Sequence, residues 1–299
     1  MFNWLRAKEI FMENSVKHHY IPQFFLKGFT NGSGQFFIYD KSQDRIKRKP
    51  FYPSTHFFQE HRNTITINGE SDDAPEQFYQ LFENKDKLIV KYIQEHVGSP
   101  SFSHQQMAEL QHFLSNLFFR LPALDATYKR YIEESDIIGH FFKIKNKETG
   151  DSAPAEVIEK IRKDPAFQSI YRSAIGSLIL LRSNSATDHE NWGFTYRPDG
   201  FNLMSDNPLI FNDLKTLDFF ENTFVVPLSG HHKLIRLKKP ITSTTLSANF
   251  SPLSEVLVIH QAKEYVCCAS KEYLEHMVWA SKRLDHETCR TQMFQELGH

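Results

Sequence analysis

The stretch NTFVVPLSGHHKLIRL, residues 222–237, carries β-branched, aromatic and leucine residues on either side of a Ser229-Gly230-His231 break. Such residues fit a pleated, half-buried surface, so NTFVVPL and HKLIRL read as strands. The texture extends in both directions: WGFTYR (192–197), FNLM (201–204) and PLIF (208–211) precede it, and EVLVIHQ (255–261) and EYVCCA (264–269) follow. These seven segments predict a mostly antiparallel sheet. KEYLEHMVWASKRL (271–284) returns to helical spacing and closes the region as an amphipathic helix.

Upstream the period is different. Phe78, Leu81, Phe82, Leu88, Ile89, Tyr92 and Ile93 recur every three or four residues after Pro75, predicting a helix to about residue 97. Ser103 and Gln106 form a capping box that opens a second helix running to Leu121-Pro122. Residues 126–142 read as helix, 143–154 as a polar loop, and 155–182 as a helix pair broken at Asp164-Pro165. Before them, QFFIYD (35–40) and RIKRK (45–49) form one hairpin, and Phe57-Phe58 with Thr64–Ile67 form another around EHRN. Residues 1–17 read as a short amphipathic helix without the uninterrupted apolar run of a signal peptide. The expectation is a single α+β domain over 1–299, with β-rich parts at 15–70 and 190–299 and a helical part at 75–182. The central helices would cover a sheet built from both β-rich parts.

Composition removes several classes of function. With 35 Lys and Arg against 36 Asp and Glu the chain has a net charge of −1, so contact with nucleic acid must come from a local patch. An odd count of three cysteines fits neither a disulfide framework nor a cysteine zinc site, and points to a reducing cytoplasm. No window reaches 18 apolar residues, so no membrane span is expected. The 27 phenylalanines predict an aromatic-rich core. HExxH, CxxC, a Gly-rich phosphate loop and GxSxG are all absent, although His56, His61, His231 and His232 have metal-ligand chemistry. Arg182 to His189 matches a loose ribonuclease pattern but lies in the polar loop RSNSATDH, and we assign it no role.

Three groups of residues carry chemistry. In KHHYIPQFFLKGF (17–29), an extended backbone would put His19, Ile21 and Gln23 on one face and His18, Tyr20 and Pro22 on the other. A histidine and an amide together can position a phosphate, a water or a carbonyl; the alternative is that they satisfy buried backbone groups. Ser205-Asp206-Asn207-Pro208 lies between two strands, where Asp206 can serve as an oxygen ligand or base, or fold onto backbone amides in an Asx turn. Glu76 and Glu83 are two helical turns apart on one face, and Arg120 ends a long apolar stripe, where it would clamp phosphate or pair with Glu83.

HHYIPQFFLKGF, FLSNLFFRLPAL (113–124) and FNLMSDNPLI followed by VVPLSGHHKLI resemble, in this order, the motifs of the DUF4238 family of uncharacterised, mostly bacterial proteins. Ile21, Phe25 and Lys27 depart mildly from that pattern, in its packing half. The resemblance groups His18, His19, Gln23, Arg120, Ser205, Asp206 and Asn207, with Glu76 and Glu83 as looser matches. Gathered together, these residues would make a magnesium- or manganese-dependent phosphodiesterase or nuclease, in the setting of a toxin or defence effector. Asp206 and Glu83 would hold the metal or activate water, His19 would move protons and Arg120 would clamp phosphate. The alternative is a non-catalytic module that binds a protein, a second copy or a small ligand, and whose polar motif residues are structural.

Overall fold

In the computed structural model the described residues are 16–67, 69–134, 144–146, 149–182, 189–198, 200–214, 219–241 and 246–298. Two four-stranded antiparallel sheets organise the β structure, with two two-stranded sheets beside them. One sheet has the order β3 (Arg45–Ile46), β2 (Phe37–Asp40), β12 (Tyr265–Cys268), β8 (Met204–Ser205), so it draws strands from both β-rich parts. The other is wholly C-terminal: β7 (Trp192–Tyr196), β11 (His232–Arg236), β10 (Phe224–Pro227), β9 (Ile210–Phe211). The stretch 222–237 is the β10–β11 hairpin, in register from Phe224 opposite Arg236 to Pro227 opposite Lys233. Its turn closes because the Ser229 hydroxyl accepts from the N–H groups of His231 and His232, both at 3.1 Å. Of the two-stranded sheets, one pairs β1 (Lys17–His19) with the distant β4 (Phe58–Glu60), and the other is a hairpin of β5 (Ile65–Ile67) and β6 (Glu70–Asp72), so the expected pairing of Phe57-Phe58 with Thr64–Ile67 is replaced by partners on either side.

The α+β class holds, and one predicted strand does not. EVLVIHQ belongs to a helix, α7 (Phe250–Gln261), that follows α1 (Gln23–Leu26), α2 (Ala74–Glu95), α3 (His104–Arg120), α4 (Asp125–Glu134), α5 (Ala155–Lys163) and α6 (Pro165–Arg182) in the chain. Leu253 and every residue from Ser254 to Ile259 are buried, so no solvent face interrupts the apolar run. A helix enclosed on all sides and rich in valine reads locally as a strand. FNLM likewise contributes only Met204 to β8. The helix predicted at 271–284 is present as α8 (Lys271–Ser281), and α9 (His286–Glu296) follows, capped by Asp285 accepting from Thr288 N–H at 2.9 Å. Residues 1–15 of the expected helix at 1–17 and the end of the one at 126–142 lie outside the described residues, as does most of RSNSATDH, and Lys17 belongs to β1 instead of a helix.

Two apolar cores result. The larger packs α2, α3 and α6 against the N-terminal segment, with Phe25, Phe29, Phe113 and Phe118 among its fully enclosed aromatics. The second joins α7, α8 and α9 to the sheets. Lys233 of β11 is fixed to α7 by Glu255, and the two side chains are 3% and 0% exposed. Close approach of α3 and α6 depends on Gly176: a Cβ there would run into the Asn116 side chain and lie 3.0 Å from the Asn116 backbone nitrogen. Ser115 Oγ donates to the Gly176 carbonyl at 3.0 Å across the same contact. Gly176→Ala therefore overpacks a helix crossing, and we expect a loss of about 1–3 kcal/mol in urea unfolding. A variant as stable as the parent would show that α3 and α6 separate freely.

Candidate functional site

The polar residues of the N-terminal motif are placed by the antiparallel β1–β4 pair, where His18 lies opposite Gln59 and His19 opposite Phe58. Strand alternation turns His18 inward, where it is fully buried and its Nδ1 accepts the Asn63 N–H at 2.9 Å. His19 faces the other way, half-buried, with its ring 5.4 Å from that of Phe58. The backbone then leaves the strand: Pro22 caps α1, and this turn carries the Gln23 amide to 3.5 Å from His19 Nδ1. His19 and Gln23 therefore meet as expected, through a turn instead of a shared strand face. The second half of the motif is packing, since Phe25, Leu26 and Phe29 are fully buried and Gly28 C=O accepts Gly230 N–H at 2.7 Å.

Arg120, the last residue of α3, reaches this segment. Its Nη2 donates to the His19 carbonyl at 2.8 Å, its guanidinium carbon stands 4.5 Å over the Tyr79 ring, and Nη1 is 4.0 Å from Glu83. Glu76, Tyr79 and Glu83, spaced three and four apart on α2, present one face to it. Glu76 accepts from Asn63 Nδ2 at 2.6 Å, and Asn63 Oδ1 accepts from Arg172 of α6 at 3.0 Å. Arg172 also pairs with Asp125 at 3.0 Å, and Arg62 donates to both oxygens of that carboxylate at 2.9 and 2.7 Å. A groove of about 610 Å³ opens beside this end of the network, lined by Arg62, Asp125, Lys129 and Arg172 among others.

Sequence reasoning missed Asn63, Arg62, Tyr79, Asp125 and Arg172. The available signal was EHRN, a polar turn between two short strands in which His61 takes a φ of 53°, a conformation that side chains of this kind rarely adopt. That turn delivers Arg62 and Asn63 to the helices.

Several nitrogens in this region have no hydrogen-bond partner although they are buried: Nε2 of His18, Nε2 of His19, and Nε of Arg120 and of Arg172. Buried polar groups are normally paired, so a cluster of unpaired ones marks a place where water or a ligand belongs. Burial, and then the Arg120 charge, lower the His19 pKa to about 4, with Glu76 and the Ser54 backbone, which lies against the ring, acting in the opposite sense. The ring is neutral at pH 7. His56, enclosed beside Lys47, is likewise lowered to about 4 by burial and then by the Lys47 charge. The unfolded chain, with histidines near 6.5, binds more protons than the folded chain between these values. Stability should therefore fall as pH drops from about 6.5 to 4, and a His19→Asn/His56→Asn double variant should show a flatter Tm profile over that window. An unchanged slope would contradict the assignment.

Ser205, Asp206 and Asn207 have a different setting. Both Asp206 oxygens are engaged by backbone N–H groups, from Lys263 at 2.8 Å, Glu264 at 2.5 Å and Tyr265 at 3.1 Å. Burial raises the Asp206 pKa, and these three N–H groups oppose the rise. Ser205 Oγ accepts from Asn207 N–H at 3.2 Å, and Asn207 Nδ2 donates to the Gln261 carbonyl at 3.2 Å. The turn thus fastens the α7–β12 connection. It approaches the motif from the side of Tyr20, whose phenol is pushed up by burial and then by the Asp206 charge. Among the described residues, no hydrogen bond or ion pair joins Ser205, Asp206 or Asn207 to His18, His19, Gln23, Glu83 or Arg120. His19, Gln23, Glu83 and Arg120 are thus joined to one another, whereas the Asp206 carboxylate is bonded to its own neighbouring backbone.

Of the two carboxylates expected to hold magnesium or manganese, Glu83 is engaged by Lys87 at 3.4 Å and faces Arg120, and both Asp206 oxygens accept backbone N–H groups. Among the described residues no group of three or more His, Cys, Asp or Glu side chains is arranged to hold a metal ion. Three of the other candidate histidines have structural partners: His56 Nε2 lies 3.0 Å from Lys47 Nζ, His231 Nδ1 lies 3.0 Å from the Arg197 carbonyl, and His232 lies 2.9 Å from Ser229 Oγ and 3.0 Å from the Gly98 carbonyl. No described helix is long and apolar enough to cross a membrane. No curated protein and no solved structure matches the chain. A family model described as a protein of unknown function, DUF4238, matches residues 17–271.

Proposed function

The chain belongs to the DUF4238 family, whose description assigns no function, and from its geometry we propose a phosphodiester hydrolase acting on nucleic acid through His19 and Arg120. The observation that carries this reading is a neutral imidazole with an unpartnered Nε2 beside an arginine anchored on that histidine's own carbonyl. An arginine fork is suited to a phosphate, and a neutral imidazole within reach can take a proton from an attacking hydroxyl. A half-turn of the Gln23 amide offers its oxygen to Nδ1–H and leaves the Nε2 lone pair free. A phosphodiester bound against Arg120 offsets the charge that lowers His19, so the imidazole gains basicity when substrate arrives. Glu83 and Tyr79 hold the guanidinium in place. No step here runs through a metal.

The test is incubation of purified protein with labelled RNA and DNA in magnesium, in manganese and in EDTA, beside His19→Asn and Arg120→Lys. We expect cleavage to fall at least 100-fold in each variant, the scale of a lost proton-transfer group or phosphate clamp. Absence of any cleavage that depends on His19 sinks the reading.

A second reading has its own support. The chain Arg62–Asp125–Arg172–Asn63–Glu76 is closed by protein partners, as expected of a non-catalytic module that binds a protein or small ligand. That reading requires His19→Asn to lower Tm by several degrees without altering any cleavage activity.

A further inference from the structure

We propose that Arg45, Arg48 and Lys49, with Phe51 and Tyr52, form a docking surface for single-stranded nucleic acid that leads the strand to His19. The inference rests on the hydrolase reading for its destination and on a separate surface for its content. A groove of about 850 Å³ is lined by Gln43, Arg45, Ile46, Lys47, Arg48, Lys49 and Phe51, four cations and no carboxylate. In a chain of net charge −1 this concentration is local. The nearest carboxylates are already committed: Asp40 lies 3.7 Å from Lys47, and Asp44 is held by Lys282 and by the Tyr39 hydroxyl at 2.7 Å. Arg45, Arg48 and Lys49 are exposed, and no hydrogen bond or ion pair ties their side chains to the described residues. Their charges are free for phosphates.

The aromatics decide between a strand and other polyanions. Phe51 is fixed by paired backbone hydrogen bonds with Phe36, at 3.0 and 2.8 Å, and its ring meets His56 edge-on at 4.7 Å. Tyr52, next in sequence, is 54% exposed. A cationic run followed by an exposed tyrosine ring suits unpaired bases, which stack without regard to sequence, whereas a duplex hides its base faces. The path to the site is short. Residues 53–55 form a single 3-10 turn, and the Ser54 backbone lies against the His19 ring. Ser54 follows Lys49 by five positions, at most roughly 18 Å of chain.

The experiment is fluorescence polarisation of full-length His19→Asn protein with a fluorescein-labelled 12-nucleotide RNA and DNA, across a salt series. Arg45→Gln/Arg48→Gln/Lys49→Gln should weaken binding at least tenfold and reduce the slope of log affinity on log salt by about 2, roughly 0.7 per cation removed. Tyr52→Ala should weaken it about tenfold, the effect of one lost base stack. All four side chains are exposed, and an unchanged Tm confirms the fold of each variant. An unchanged salt slope in the triple variant overturns the proposal, as does equally tight binding of the duplex or of anionic phospholipid vesicles. Binding through the patch without any cleavage by the parent protein would leave this inference standing and defeat the hydrolase reading. Cleavage with the same KM in the triple variant would do the reverse.

Discussion

Glu255→Ala is expected to cost about 3–5 kcal/mol in urea unfolding, the scale of removing one partner of a fully buried ion pair. The residue does two jobs: one oxygen receives Lys233 Nζ, and the other accepts the Leu203 N–H at 2.8 Å. Lys233 also donates to Ser254 Oγ at 2.6 Å and Ser251 Oγ at 3.1 Å, which leaves its charge dependent on Glu255. Burial lowers the Lys233 pKa while the Glu255 charge supports it, so without the glutamate the lysine must stay buried and neutral or drag β11 open. Lys233→Met/Glu255→Leu, which removes both charges, should be much milder than the single alanine. A loss below about 1 kcal/mol for Glu255→Ala would mean that the pair is open to solvent.

Asp206→Ala should be nearly as damaging, because three backbone N–H groups lose their acceptor at once. At about 1–3 kcal/mol for each buried donor left unpaired, a loss of about 3 kcal/mol or more is expected, read by thermal and urea unfolding. Asp206→Asn keeps one acceptor oxygen and the side-chain shape, so it should fall between parent and alanine. If Asp206→Ala instead leaves stability unchanged while abolishing an activity, the turn is functional and not merely structural.

Which features could be read from the chain follows from how local their causes are. The α2 helix was legible because Phe78 to Ile93 keep one wet face, and α3 because its first half alternates and the Ser103–Gln106 box closes in both directions as its spacing implies, although every residue from Phe113 to Arg120 is buried. The α7 helix was not, since burial from every side erases the period that distinguishes helix from strand. α9 gave little signal because only Cys289, Met293 and Phe294 of its eleven residues are buried. At the site, a Glu83–Arg120 pair was suggested by an arginine that ends an apolar stripe, and His19 and Gln23 do meet, but through the turn at Pro22 and not through the strand alternation that placed them together. The contributions of Asn63, Asp125 and Arg172 depend on tertiary approach of the EHRN turn, α4 and α6, which no local pattern encodes. Asp206 illustrates the opposite limit. An Asx turn and a general base present the same four letters, and only the three N–H groups arriving from residues 263–265 distinguish them.

The central claim is that chemistry belongs to the His19–Arg120 cluster and that the Ser205–Asn207 turn only holds the fold. It is tested most directly by measuring single-turnover cleavage of labelled single-stranded RNA together with Tm for the parent, His19→Asn and Asp206→Asn. The account predicts that His19→Asn loses cleavage by at least 100-fold with a Tm close to the parent's, while Asp206→Asn loses stability and keeps cleavage per folded molecule. Full cleavage by His19→Asn, or loss of cleavage in Asp206→Asn at unchanged Tm, would contradict it.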